Sequence, residues 1–169
     1  MQDYVVELID AVDAALPRLR AIGEARSARR PAPAKWSPRE IIGHLIDSAS
    51  SNHQRFVRAQ FQDDLVFTGY DQDAWVAAQQ YNDVPFDALL DLWSSFNRHI
   101  AHVMDAVPES VRLREHVRHN LDRIAWRTLP ADRPATLDYF MRDYVDHLRH
   151  HLGQIPGMTR SPGTAREPV

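Results

Sequence analysis

Histidine is the residue type in this chain whose spacing points most directly to chemistry. His147 and His151 stand four residues apart in a segment of helical periodicity. One turn therefore separates them on one helix face, and two imidazoles so placed can converge on a single ion. With residues set 100° apart on a wheel, Leu137, Phe140, Met141, Tyr144, Leu148, Leu152 and Ile155 define an apolar stripe. His151 falls inside that stripe, His147 lies about 40° away at its edge, and His150 belongs to the outer face.

An earlier segment repeats the pattern. Ile41, Ile42, Leu45, Ala49 and Phe56 form its stripe, with His44 at the margin beside Ser48, Ser51 and Arg55. Asp47 is expected to point away from the core, and His53 lies on the opposite flank from His44. His99 and His102 fall on the polar side of their helix and read as solvated. His116 and His119 sit in a charged segment with no apolar face to anchor a site. The pattern alone leaves two readings open for His44, His147 and His151: ligands of one ion, or core histidines hydrogen-bonded to backbone or to each other.

Composition narrows the classes. A chain of 169 residues fits one domain and can bury most of its apolar surface. There is no cysteine, which removes disulfides, thiolate ligands and a cysteine nucleophile. The formal net charge is −3 and the basic residues are scattered, against extended phosphate-backbone binding. No basic region followed by an apolar run opens the chain, and no stretch approaches a membrane span. The expectation is a cytoplasmic protein acting on a small molecule, with no nucleic-acid or membrane partner and with a homodimer left open.

Four helices must position these side chains. The first is expected from Asp3 to Ile22, with Pro17 as a point of bending. Ser37-Pro38-Arg39-Glu40 carries an N-cap serine, a proline at the first helical position and a glutamate that closes a capping box. The second helix therefore starts at Ser37 and runs to about Gln60, with Trp36 packing back on it. A long connection from Phe61 to Asp83 follows, with a short helix over 71–80. The third helix is expected from Pro85 to Val107. Residues 108–134 give no periodic signal and read as irregular, and the fourth helix runs from the N-cap Thr136 to Gly153, with Pro156 preventing continuation. The domain spans 1–157, and the Pro/Arg-rich tail of 158–169 is expected to fray.

Two motifs add a resemblance. Lys35-Trp36-Ser37-Pro38-Arg39-Glu40-Ile41-Ile42-Gly43-His44-Leu45-Ile46-Asp47 resembles the Trp-Ser and His-Leu signature of the DinB/YfiT-like metalloenzyme family. His147-Leu148-Arg149-His150-His151-Leu152-Gly153-Gln154-Ile155 resembles its C-terminal His-x-x-His-His-x-x-Gln-Ile pattern. The resemblance implies an all-α four-helix bundle with a crossover connection and a metal ion held by His44, His147 and His151. It also implies a reaction class, since relatives include transferases and isomerases that use low-molecular-weight thiols, although substrate identity does not carry over.

Three neutral imidazoles leave at least one coordination position open, as a catalytic site requires. Zinc, nickel and ferrous iron all suit that donor set. A thiol reaching the open position would lose its proton, and a chain without cysteine supplies no competitor. The leading expectation is thus a metal-dependent enzyme that transfers a small thiol to an electrophile. The alternatives are a metal-dependent hydrolase and a non-catalytic, metal-stabilised bundle acting in stress response. Ser48, Arg55 and Tyr144 are the candidate substrate contacts. Arg55 is suited to a substrate carboxylate, with a surface ion pair as the competing reading. Asn52 and Gln154 are the candidates for holding ligand side chains, Gln154 being placed near His147. The tryptophans read as core.

Overall fold

The structure, a computed structural model, describes residues 1–158; the expected tail from 159 onward lies outside the described residues. Four long helices carry the fold: α1 (Asp3–Arg20), α3 (Pro38–Arg58), α5 (Phe86–Ala106) and α8 (Leu137–Gln154). Short helices fill the connections: α2 (Glu24–Ser27), α4 (Gln72–Gln79), α6 (Glu109–Arg112) and α7 (Leu121–Ile124). The long elements lie within two residues of their expected ends, and α1 continues through Pro17. No strand forms among the described residues, where pairing is limited to two isolated bridges, Leu65 with His119 and His116 with Ala135.

Local chemistry explains where α3 begins. Ser37 Oγ accepts from the Glu40 backbone N–H at 3.2 Å, and the Glu40 carboxylate accepts from the Ser37 N–H at 2.8 Å. These bonds satisfy donors that a helix start leaves free. Thr136 caps α8 in the same way, accepting from Tyr139 N at 3.1 Å.

The helices form a ring in the order α1, α5, α3, α8. Side-chain pairings give their directions. Asp3 meets Arg142 and Glu7 meets Arg149, so α1 and α8 run parallel. Arg20 reaches Asp87 while Asp13 meets Arg98, so α1 and α5 run antiparallel. His44 meets His147 while Phe56 meets Phe140, so α3 and α8 are also antiparallel. Arg39 bonds the Val84 carbonyl and His53 packs on Phe96, so α3 and α5 run parallel.

Two parallel neighbours consecutive in sequence cannot be joined by a short turn. The segment between α3 and α5 must travel back along the bundle, which accounts for its length and for the crossover that the resemblance implies. On its way it covers the face of α3 turned from the bundle centre. Every residue from Ser37 to Ala49 is buried as a result. Asp47 was expected to face away from the core; it is 3% exposed, accepting from the Tyr81 hydroxyl at 2.7 Å and from Gln79 Nε2 at 2.6 Å.

The loop from 108 to 136 is irregular apart from α6 and α7, and histidines pin it. His116 and His119 are buried, contrary to the reading of an unanchored charged segment. His116 Nδ1 lies 3.0 Å from the Asp63 carbonyl, and His119 accepts from Leu121 N while its other nitrogen bonds the Arg133 carbonyl at 2.7 Å. Both histidines serve backbone groups that the loop would otherwise leave unsatisfied.

Gly43 decides how closely the connection seats on α3. A Cβ at that position would collide with the Tyr81 ring, which is held in place by its bond to Asp47. Gly43→Ala should therefore destabilise the protein by about 1–3 kcal/mol as an overpacked core position does, despite alanine's better helix propensity. Denaturant unfolding checks this, and an unchanged or raised midpoint would refute the assigned packing.

Candidate metal centre

The antiparallel contact of α3 with α8 brings together the residues that the wheel selects. His44 lies near the start of α3 and His147 and His151 near the end of α8. One ring nitrogen from each lies within 4.8 Å of the others. His44 Nε2 and His147 Nε2 are 3.3 Å apart. The His151 ring centroid is 4.6 Å from that of His44 and 4.5 Å from that of His147.

The outer nitrogens set the orientation of two rings. His151 Nδ1 lies 2.9 Å from Gln154 Oε1, an acceptor, so Nδ1 carries the proton and Nε2 presents its lone pair. Ser48 Oγ lies 3.4 Å from His147 Nδ1, a contact a hydroxyl can make as donor or acceptor. His44 Nδ1 is buried and has no hydrogen-bond partner among the described residues. Trp36 closes over this ring, with centroids 5.0 Å apart, and lies 6.3 Å from His151.

Burial keeps the imidazoles neutral, because an unpaired charge loses its solvation there. Burial and the neighbouring histidines push His147 down to about 2. Burial and His151 push His44 down to about 3. Burial also lowers His151, although its bond to Gln154 works in the opposite direction.

Three neutral imidazoles are the protonation state that a metal requires. Two nitrogens on a tetrahedral ion at about 2.0–2.1 Å would stand about 3.3 Å apart, which is the separation found between His44 and His147. The trio fits a divalent metal ion and leaves room for another ligand.

Two clefts reach the trio from different sides. One, of about 260 Å³, presents His44 and His147 together with Ser48, Arg55, Tyr70 and Asp143. The other, of about 580 Å³, presents His151, Gln154 and Trp36. Gln72, at the start of α4, borders both.

Other expected site residues take distinct places. Ser48 touches His147, as described. Asn52 bonds the Ser48 carbonyl at 2.9 Å and accepts from Arg55 at 3.3 Å, so it supports those two residues and no ligand histidine. Gln154 serves His151 and His150 instead of His147, because three residues separate it from His151 and seven from His147. Tyr144 lines the smaller cleft, but its hydroxyl donates to Asn97 Oδ1 at 2.6 Å and burial raises its pKa. Arg55 is 6% exposed and forms no ion pair among the described residues. His53 packs with Phe96 and His99 away from the trio, and His99 and His102 are exposed.

Sequence reasoning missed four contributors. Trp36 is half-buried beside His44, so of the tryptophans only Trp93 is wholly core. Tyr70 and Gln72 come from the crossover connection, which has no periodic signal to reveal what it faces. Asp143 stands one turn before His147 and was open to the same wheel argument. Its carboxylate accepts from Trp126 N at 2.9 Å and Arg127 N at 2.7 Å, fastening the loop that walls the smaller cleft.

The comparisons with known proteins follow from this architecture. A family model described as the DinB superfamily matches residues 7–155. The chain belongs to the DinB superfamily. No curated protein sequence matches it. Among solved structures it is similar to YfiT from Bacillus subtilis, described as a probable metal-dependent hydrolase with an unusual four-helix bundle topology. The match has a TM-score of 0.74 at 15% identity and covers 94% of this chain and 87% of that one. The superfamily bundle is therefore present here almost entire. No helix among the described residues is long and apolar enough to cross a membrane.

The depressed histidine pKa values have a consequence for the metal-free protein. Unfolded histidine takes up its proton near pH 6.5, whereas folded His44 and His147 refuse it until about 3 and about 2. Their neutral burial is thus tolerated above pH 6.5, and stability falls as pH drops from 6.5 toward those values, by about 1.4 kcal/mol per pH unit for each excluded proton. Unfolding midpoints measured from pH 7 to 5 should decline for the wild type and less for His147→Asn; equal slopes would contradict this account.

Proposed function

We propose that the protein binds one divalent metal ion through His44, His147 and His151, and that it is an enzyme transferring a low-molecular-weight thiol to a small electrophile. The observation that carries the reading is the convergence of three neutral imidazoles at a point bordered by two clefts. Two entrances suit two reactants, and a bundle without cysteine has no thiol of its own to be consumed.

Bound there, zinc, nickel or ferrous iron would act as a Lewis acid and lower the pKa of a thiol or a water. The chain's own residues do the rest. Gln154 holds the His151 ring by its outer nitrogen and so fixes which nitrogen presents a lone pair, and Ser48 touches the outer nitrogen of His147. Trp36 covers His44 and limits water on that side. The smaller cleft orients one reactant through Asn52, Arg55 and Tyr70, and the larger admits the other beside His151. On this reading the partners are small molecules and the chemistry takes place at one point between the two clefts.

Hydrolysis is the second reading, favoured by the description of YfiT as a probable metal-dependent hydrolase. Water would then take the place of the thiol and only one organic substrate would be needed.

Elemental analysis of the purified protein should find about one divalent ion per chain, lost in folded His147→Ala and His151→Ala variants. With the metal present, thiols should be consumed in the presence of model electrophiles, and chelation should stop the reaction. Metal-dependent cleavage of esters or amides without thiol consumption would select hydrolysis. A protein with metal that turns over none of these, and only melts lower when stripped, would be a metal-stabilised bundle.

A further inference from the structure

Arg55 lines the smaller cleft with a positive charge that no side chain among the described residues answers. It is 6% exposed, and among the described residues no carboxylate pairs with it. Its contacts are neutral: Nη2 donates to the Thr68 carbonyl at 2.9 Å, Nη1 donates to Asn52 Oδ1 at 3.3 Å, and the guanidinium lies over the Phe140 ring at 5.9 Å. Asp143, in the same wall, has its carboxylate bound by two backbone amides and is not the missing partner. A buried cation without a counter-ion costs stability, and here it borders a cavity.

We propose that Arg55 is an anion-binding residue and that the substrate entering the smaller cleft carries a carboxylate. This rests on the reading of the histidine trio as a metal centre and specifies what that centre acts on. A planar guanidinium that lines a cleft and keeps donors beyond its two bonds to Asn52 and Thr68 matches the two oxygens of a carboxylate. A single buried positive charge balances a monoanion better than a dianionic phosphate. Tyr70, in the same cleft, offers a hydroxyl that burial keeps protonated, its pKa pushed up to about 12. Arg123 is exposed at the rim and adds attraction from solvent.

The helix supplies a ruler. Arg55 lies on the face of α3 that carries Ser48 and His44, within about 20° of each. Ser48 is level with His147 through its 3.4 Å contact, and the guanidinium bonds Asn52, one turn further along. The carboxylate should therefore sit about 5–10 Å from the reacting group, one to two turns of helix. The substrate is an elongated molecule with a reactive end and an anionic end.

The test titrates ω-mercaptoalkanoates of roughly three to eight carbons, lengths chosen to span one to two turns, into metal-loaded protein by calorimetry. The ω-mercaptoalkanols of equal length run beside them. The expected result is a preference for the carboxylate of about tenfold or more at an intermediate length. That ratio should fall to about one in Arg55→Gln and take an intermediate value in Arg55→Lys, which keeps the charge and loses the fork. Equal affinity for both end groups in the wild type would overturn the anion site and leave a thiol-binding metal centre standing.

If neither thiol binds, the reading of the metal centre fails and a second arm decides the anion site separately. Linear alkanoates should raise the melting temperature of the metal-free wild type more than the matching alkanols do, and Arg55→Gln should abolish the difference. No difference in the wild type would overturn the proposal. Should Arg55→Gln fail to fold, Arg55→Lys and the wild-type comparison of end groups carry both arms.

Discussion

An imidazole withdrawn from water without a counter-ion must stay neutral, and the contact of α3 with α8 sets three of them around one point, His44 and His151 buried and His147 half-buried. The rest of the molecule can be understood from that constraint. His44 and His147 are 103 residues apart in sequence, so the arrangement exists only when two distant helices pack in one register. Phe56 meets Phe140 and Tyr144 edge to face further along the same contact. Those apolar pairs lock the register that aligns the histidines, and so the core sets the geometry of the polar centre.

The ring order of the helices has a further effect. Because α3 and α5 are parallel neighbours, the chain between them has to recross the bundle, and its return path supplies groups that no helix face could. Tyr81 seats against Gly43 and donates to Asp47 Oδ1, while Tyr70 and Gln72 arrive at the clefts. The crossover is therefore both the cost of the topology and the source of Gly69, Tyr70 and Gln72 in the wall of the smaller cleft. Helix α3 becomes a central element buried on all sides over its first three turns. That burial explains how one helix can carry a histidine of the trio, a bonded aspartate and a buried arginine at once, each facing a different neighbour.

Much of this was legible in the sequence for a physical reason: helix periodicity and capping are local. The box at Ser37 and Glu40, the cap at Thr136 and the apolar stripes of α3 and α8 depend on residues within one or two turns of each other. They sufficed to place the long helices and to separate His44, His147 and His151 from His53, His99, His102 and His150. The family motifs at 35–47 and 147–155 then joined two helices whose contact no local rule could give. What failed was whatever depended on a third body. Asp47 was misread because a wheel divides a helix into core and solvent, and has no place for a loop that packs on the outer side; His116 and His119 were misread because their segment has no periodicity and their partners, the Asp63 and Arg133 carbonyls, lie elsewhere in the chain. Gln154 was assigned to the wrong histidine within its own helix, where counting the turn between it and His151 would have decided the matter.

Arg55 shows how burial changes the meaning of a residue. On the wheel it shares a face with His44, and a surface ion pair was as reasonable as a ligand contact. In the folded chain the carbonyl of Thr68 and the amide of Asn52 hold the guanidinium where water is scarce, and no carboxylate among the described residues pairs with it. Neutral acceptors orient a charge without cancelling it. The same economy operates at the trio, where Gln154 and Ser48, both uncharged, orient the rings and leave the inward nitrogens free. Along one side of α3 the fold thus sets neutral lone pairs at one end and an unanswered cation at the other. A metal ion is drawn to the first and an anion to the second. A single elongated molecule that meets both demands would neutralise the cleft, and neither end of the cleft alone distinguishes such a molecule from others.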